Sequence, residues 1–88
     1  MSFRVVSFET TPNPNAIKCV LDRSPTEVPR SYFNATQATG DELAEALFAA
    51  GEVTSVLIHT EFITVNKAPG AGWPGLKRQI ERVLRDAD

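Results

Sequence analysis

The chain has 88 residues, 42% hydrophobic and 23% charged, so it carries enough apolar side chain for one core and too much for a disordered protein. Its net charge of −2 offers no general attraction to phosphate backbones, which excludes nucleic acid as an expected partner. No apolar run approaches the ~18 residues that span a bilayer, and one cysteine excludes an internal disulfide. We therefore expect a single domain over residues 1–88, a cytoplasmic location and no membrane partner.

Two strands are predicted at the start of the chain. Residues 3–9 are rich in β-branched and aromatic side chains and end at a cluster of Thr, Pro and Asn. Residues 16–22 then alternate, with Ile17, Cys19 and Leu21 on one face. The two prolines between the strands fix their own φ angles and restrict the residues before them. The pattern predicts a hairpin with a stiff loop.

A loop and a helix are predicted next. Residues 23–39 contain two prolines and many small polar residues, so we expect a loop, with a short edge strand at 31–34. Thr39 and Glu42 fit a capping box for a helix over residues 40–50, and Gly51 stands where a left-handed stop is expected. The apolar stripe of this helix is Leu43, Ala46, Leu47 and Ala50.

The last part of the chain predicts a second hairpin and a second helix. Residues 53–60 and 61–67 are dense in β-branched side chains and meet at His59, a polar turn residue, so we expect two central strands. Pro74 suits the first turn of a helix that ends near residue 86. Its apolar side is Trp73, Leu76, Ile80, Val83 and Leu84. These elements predict an α+β fold, a two-layer sandwich of a mainly antiparallel sheet with two helices.

The residue types needed for catalysis are scarce. There is one His and one Cys, and no glycine-rich loop has the spacing that cradles a phosphate. We therefore expect a protein that is not an enzyme.

Several segments together carry a family resemblance. They are Thr11-Pro12-Asn13-Pro14-Asn15-Ala16-Ile17-Lys18, the helix from Leu43 to Phe48, Gly51-Glu52-Val53-Thr54-Ser55-Val56, Glu61-Phe62-Ile63-Thr64-Val65-Asn66-Lys67, and Trp73 with its helix. Over roughly residues 8–84 the chain resembles the N-terminal domain of Nfu-type iron–sulfur scaffold proteins. The resemblance implies a role in iron–sulfur cluster assembly.

The sequence departs from that family in two ways. The family's domain commonly precedes a second domain whose Cys-x-x-Cys motif carries the cluster, and that motif is not among these 88 residues, so we expect a stand-alone form. Cys19 also occupies a position where a large apolar residue, usually Phe, is expected. It is either a smaller core residue or an introduced thiol.

Ligand number favours a docking role. A cluster normally takes four cysteine thiolates, and this chain has one, so we expect no cofactor to be held stably by the isolated chain, while transient iron or cluster binding stays open. We interpret the domain as an accessory module that binds a cluster carrier or recipient protein, including a Cys-x-x-Cys scaffold. The predicted contact residues are Thr11, Pro12, Asn13, Pro14, Asn15 and Lys18. The alternative is a purely structural role, in which this loop only connects the two strands.

Two other functions remain open at this point. In the first, Cys19 binds iron or a cluster directly in an oligomer, with Asp or Glu side chains completing the coordination sphere. In the second, the domain mediates protein interactions unrelated to metals, because a fold does not fix a function.

Overall fold

The computed structural model describes residues 3–87, which form one antiparallel sheet and two α-helices. The elements in chain order are β1 (Val5–Thr10), β2 (Ala16–Leu21), β3 (Arg30–Tyr32), α1 (Glu42–Phe48), β4 (Val53–Ile58), β5 (Phe62–Lys67) and α2 (Trp73–Arg85). The sheet has five strands in the order β1-β2-β5-β4-β3. The predicted α+β class is confirmed.

Both predicted hairpins form. β1 and β2 pair antiparallel with Phe8 opposite Cys19, and β4 and β5 pair around a turn in which the His59 N–H donates to Phe62 O at 2.8 Å. β2 then pairs antiparallel with β5, which joins the two hairpins and makes β5 the middle strand. The prediction that β4 and β5 lie inside the sheet is confirmed.

One face of the sheet packs against both helices. The strand alternation directs apolar side chains to that face, where they meet the buried sides of α1 and α2. The buried core residues are Ile17, Cys19, Leu21, Ala38, Ala44, Leu47, Val56, Ile58, Ile63, Val65, Leu76, Ile80 and Leu84. The intervening side chains, including Val20, Leu57 and Phe62, are half-buried on the helix-free face.

The start of α1 differs from the prediction. Its N-cap is Asp41, whose side chain accepts from the Ala44 N–H at 3.2 Å, so the predicted capping box of Thr39 and Glu42 is wrong. Asp41 takes this position because its carboxylate also accepts from Tyr32 Oη at 2.7 Å and pairs with Arg30 Nη1 at 2.9 Å. Thr39 and Asp41 are both residue types that can cap a helix, and the contacts with β3 favour Asp41.

The glycine prediction at the end of α1 is also wrong. The positive φ among residues 3–87 belongs to Gly40, at 95°, in the turn that enters α1. Gly51 has no positive φ, and its smallness is used for packing, because a Cβ there would meet Leu76 Cδ1 at 3.3 Å.

The short edge strand, predicted at 31–34, begins one residue earlier and ends two residues earlier, at Arg30–Tyr32. β3 ends at Tyr32 because the Phe33 N–H donates to Gln37 Oε1 at 2.8 Å and so leaves the strand. Pro29, just before β3, has no N–H to donate. These two features limit further strand pairing at this edge.

α2 forms as predicted, with Pro74 in its first turn and Leu76, Ile80 and Leu84 buried. No helix within residues 3–87 combines the length and the apolar character needed to cross a membrane.

Candidate functional site

The loop that joins β1 and β2 is fixed by its own hydrogen bonds. Thr11 Oγ1 donates to Asn13 O at 2.8 Å and accepts from the Asn13 N–H at 3.1 Å. Asn13 Oδ1 accepts from the Asn15 N–H at 2.9 Å, and the Ala16 N–H donates to Asn13 O at 3.0 Å. These short side-chain turns restrain the backbone in addition to the two prolines. The loop therefore presents a fixed shape.

The loop is also tied to β5 and α2. The Lys67 N–H donates to Asn15 O at 2.8 Å, and Lys67 Nζ donates to Asn15 Oδ1 at 3.1 Å. Trp73 Nε1 donates to Pro14 O at 3.0 Å. We call residues 11–15 together with residues 67–73 the corner. It joins the first hairpin to the last helix.

Lys67 is unusual in the corner because it is a charged residue that is buried, with 7% exposure. Its ammonium donates to Asn15 Oδ1 and to Ala68 O at 3.4 Å, and it lies 5.3 Å from the centroid of the Trp73 ring. Among residues 3–87 no carboxylate lies within ion-pair distance of it. Neutral oxygens and an aromatic face therefore solvate this charge.

Lys67 and Trp73 were not among the predicted site residues. A signal for Lys67 does exist, since the β5 alternation places it on the same face as buried Ile63 and Val65. No local pattern marks the Trp73 contact, because its partner lies 59 residues away.

The structure brings together five of the six predicted contact residues. Pro12, Asn13 and Pro14 are exposed, and Thr11 is half-buried. The Asn15 side-chain oxygen accepts a hydrogen bond from the Lys67 ammonium. The sixth, Lys18, lies on the helix-free face of the sheet. Its ammonium is 4.4 Å from the centroid of the Phe62 ring and 3.8 Å from Glu9 Oε1.

Cys19 lies inside the core. Its side chain has 0% exposure between Phe8 of β1 and Ile63 of β5. Burial raises the pKa of the thiol to about 12, with a smaller opposing effect from the Lys77 charge and a small further increase from Glu81. The thiolate, the form that binds iron, is therefore strongly disfavoured. Within residues 3–87 no three His, Cys, Asp or Glu side chains are grouped to hold a metal ion.

A groove of about 690 Å³ lies between the two helices. Leu43, Ala46 and Val83 form apolar parts of its lining, and Arg30 and Asp41 contribute a charged pair. Arg30 Nε is buried there without an acceptor among the described residues. The groove contains none of the predicted contact residues, so the corner is the candidate site.

The fold and the corner define a small α+β domain with a restrained Asn-Pro loop. Residues 6–87 match the family described as scaffold protein Nfu/NifU N terminal. The chain belongs to this family.

Similar proteins include the mitochondrial NFU1 iron-sulfur cluster scaffold homolog of Drosophila ananassae, 31% identical over 92% of this chain and 29% of that protein. The mitochondrial NifU-like protein 5 of Arabidopsis thaliana is 30% identical over 92% of this chain and 30% of that protein. Conserved virulence factor C of Staphylococcus aureus is 26% identical over 96% of this chain and 22% of that protein. The chain thus spans less than a third of each of these relatives.

Two solved structures share the fold. A NifU-like protein of Saccharomyces cerevisiae superposes with a TM-score of 0.78 at 24% identity, covering 96% of this chain and 76% of that one. Protein SAV1430 of Staphylococcus aureus gives a TM-score of 0.74 at 23% identity, covering 91% of this chain and 96% of that one.

Proposed function

We propose that this domain acts in iron–sulfur cluster assembly as a non-catalytic docking module, which binds a cluster carrier or a recipient protein and does not hold the cluster itself. Membership of the Nfu/NifU N-terminal family supports a role in cluster assembly. The scaffold and NifU-like names of relatives from fly and plant support the same role.

The observation that carries the docking role is the state of Cys19. A cluster normally requires four thiolate ligands, whereas this chain offers one thiol. That thiol is fully buried, and its pKa is raised to about 12. Binding iron there would require both opening of the core and loss of a proton that burial retains. The cluster is therefore treated as the cargo of a partner.

The corner is the proposed contact surface. Its exposed residues Pro12, Asn13 and Pro14 stand on a backbone that internal hydrogen bonds already restrain. Binding to a restrained loop costs less conformational entropy than binding to a mobile one. The exposed Asn13 amide group retains N–H donors for a partner, because its oxygen accepts from the Asn15 N–H.

Affinity capture from reduced, anaerobic lysate tests the docking role. We expect the protein to retain iron–sulfur assembly or recipient proteins, and we expect the double variant Pro12→Ala, Pro14→Ala to retain much less. Pro29→Ala is the matched control, since Pro29 is also exposed but precedes the remote strand β3. Equal retention by both variants, with unchanged thermal stability, would exclude the corner. Absence of iron–sulfur proteins from the captured set would exclude the function.

Anaerobic reconstitution with iron and sulfide tests whether the domain holds the cargo. We expect no stable cluster and no visible absorption band that depends on Cys19. A stoichiometric cluster that is lost in Cys19→Ala would instead assign cluster binding to this thiol.

A further inference from the structure

Charge is distributed unevenly around the corner. No Asp or Glu occurs in residues 10–21 or in residues 62–80, although the chain has 11 acidic residues. The second of these segments carries Lys67, Lys77 and Arg78. Arg78 is exposed, and the Lys77 ammonium lies 5.3 Å from the centroid of the Phe8 ring on β1, the strand that leads into the loop. In a chain of net charge −2, the corner and the start of α2 therefore carry a local excess of positive charge.

Lys67 makes this positive charge harder to screen. Lys67 is a buried residue whose ammonium donates to neutral partners and has no carboxylate within ion-pair distance among residues 3–87. A charge on a largely buried residue without a counter-charge is screened by water less than a fully exposed one. The adjoining first turn of α2 contains no acidic residue to offset it. A negative group from outside would supply the missing counter-charge.

Exposed apolar surface lies beside the positive charge. Pro12 and Pro14 are exposed, and the half-buried Trp73 ring is held against the loop by its bond to Pro14 O. Proline and tryptophan offer contact area with little side-chain entropy to lose on binding. The surface therefore suits a ligand that combines acidic and apolar side chains.

We propose that the corner binds a short acidic segment of a partner protein, one that combines Asp or Glu side chains with apolar ones. This inference rests on the proposed function, because it gives the chemistry of the segment that docks at the same surface. Lys18 takes no part, since it lies on the helix-free face beside Glu9. A nucleic acid is disfavoured because three cations are few for phosphate-backbone binding.

Glu52 is an acidic residue that borders the corner. The Ala68 N–H donates to Glu52 O at 2.9 Å, and the Glu52 side chain is exposed. Its negative charge opposes an acidic ligand. Removing that charge should therefore strengthen binding, whereas removing Arg78 should weaken it.

Tryptophan fluorescence gives a direct test, because Trp73 is the one tryptophan of the chain. The probes are a blocked peptide of alternating Glu and Ala and its Gln–Ala counterpart. We expect the Glu peptide to change the Trp73 emission saturably, with an affinity that falls as salt is added. The Gln peptide should produce no saturable change. Equal changes with the two peptides, or no saturable change with either, would overturn the proposal.

Charge variants locate the binding. We expect Arg78→Gln to weaken binding of the Glu peptide about threefold and Glu52→Gln to strengthen it about twofold, as is typical of charges at the rim of an interface. Arg85→Gln removes the same charge from the far end of α2 and should leave affinity unchanged. Equal weakening in Arg78→Gln and Arg85→Gln would mean a non-specific charge effect and would overturn the proposal.

A single-stranded oligonucleotide of the same charge as the Glu peptide separates the two anionic classes. Weaker binding of the oligonucleotide supports a protein ligand, and equal or tighter binding overturns it. The peptide result is independent of the capture result. If capture depends on the corner but the Glu peptide fails, the acidic ligand is wrong and docking stands. If the peptide binds but no iron–sulfur protein is captured, the proposed function is wrong and the acidic ligand stands.

Discussion

The thiol of Cys19 affects stability through its buried, protonated state. Its pKa is raised from 9.0 to about 12 mainly by burial, so between these values the unfolded chain loses a proton that the folded chain keeps. Rising pH then favours the unfolded chain. The free energy of unfolding should retain this contribution in full below pH 9 and lose it progressively toward pH 12, by about 1.4 kcal/mol per pH unit.

Chemical denaturation across this pH range measures the effect, and Cys19→Ala provides the control. The variant should be less stable at neutral pH, because a buried side chain is shortened, and its stability should decline less between pH 9 and 12. Identical slopes in the two proteins would contradict a raised thiol pKa.

The hydrogen bond between Tyr32 and Asp41 gives a second prediction for a single residue. The pKa of Tyr32 is raised, first because its hydroxyl donates to the Asp41 carboxylate and then by desolvation and the Asp41 charge. Asp41→Asn keeps a cap residue but removes the charge, so the Tyr32 pKa should fall toward its ordinary value. Absorbance of the tyrosinate reports this directly, since the chain has one tyrosine.

Asp86→Asn is the control for that titration, because Asp86 lies at the end of α2 and bonds to Arg85. An unchanged Tyr32 midpoint in Asp41→Asn, or an equal change in Asp86→Asn, would show that the bond to Asp41 does not govern the titration.

At the scale of elements, the turn that enters α1 depends on Gly40. Its φ of 95° lies in the left-handed region, where a side chain is strained even though the space around it is open. We expect Gly40→Ala to lower the free energy of unfolding by about 1 kcal/mol. Gly70→Ala should cause no loss, because Gly70 has no positive φ and nothing lies within 4 Å of the added Cβ. Urea denaturation of both variants checks the difference, and equal effects would contradict it.

The strands were predictable because their signal is local. The alternation of Ile17, Cys19 and Leu21 reports directly which face of β2 is buried. The cap of α1 was not predictable in the same way, since Thr39 and Asp41 are both suitable residue types. Contacts from β3, which follow from the tertiary fold, select Asp41.

At the scale of the whole molecule, stability should decline from the middle of the sheet toward its edges. β5 is paired on both sides by β2 and β4, whereas β1 and β3 each have one strand neighbour. We expect backbone amides of β5 to exchange with deuterium most slowly and those of β3 fastest among the strands. Exchange followed by NMR tests this order, and slower exchange in β3 than in β5 would contradict it.

The candidate site was predictable only in part at this scale. The Asn-Pro loop is visible in the sequence because its residues are consecutive. The other half of the corner is not, since Lys67 Nζ and Trp73 Nε1 reach partners 52 and 59 residues away. Hydrogen bonds over such separations follow from the pairing of β2 with β5, which no short pattern encodes.

The bond from Trp73 to Pro14 also sets an order of events during synthesis on the ribosome. Pro14 leaves the exit tunnel early, but the indole that holds it is translated 59 residues later. A nascent chain still lacking α2 therefore cannot form the complete corner. The corner can close only after the start of α2 has itself left the tunnel.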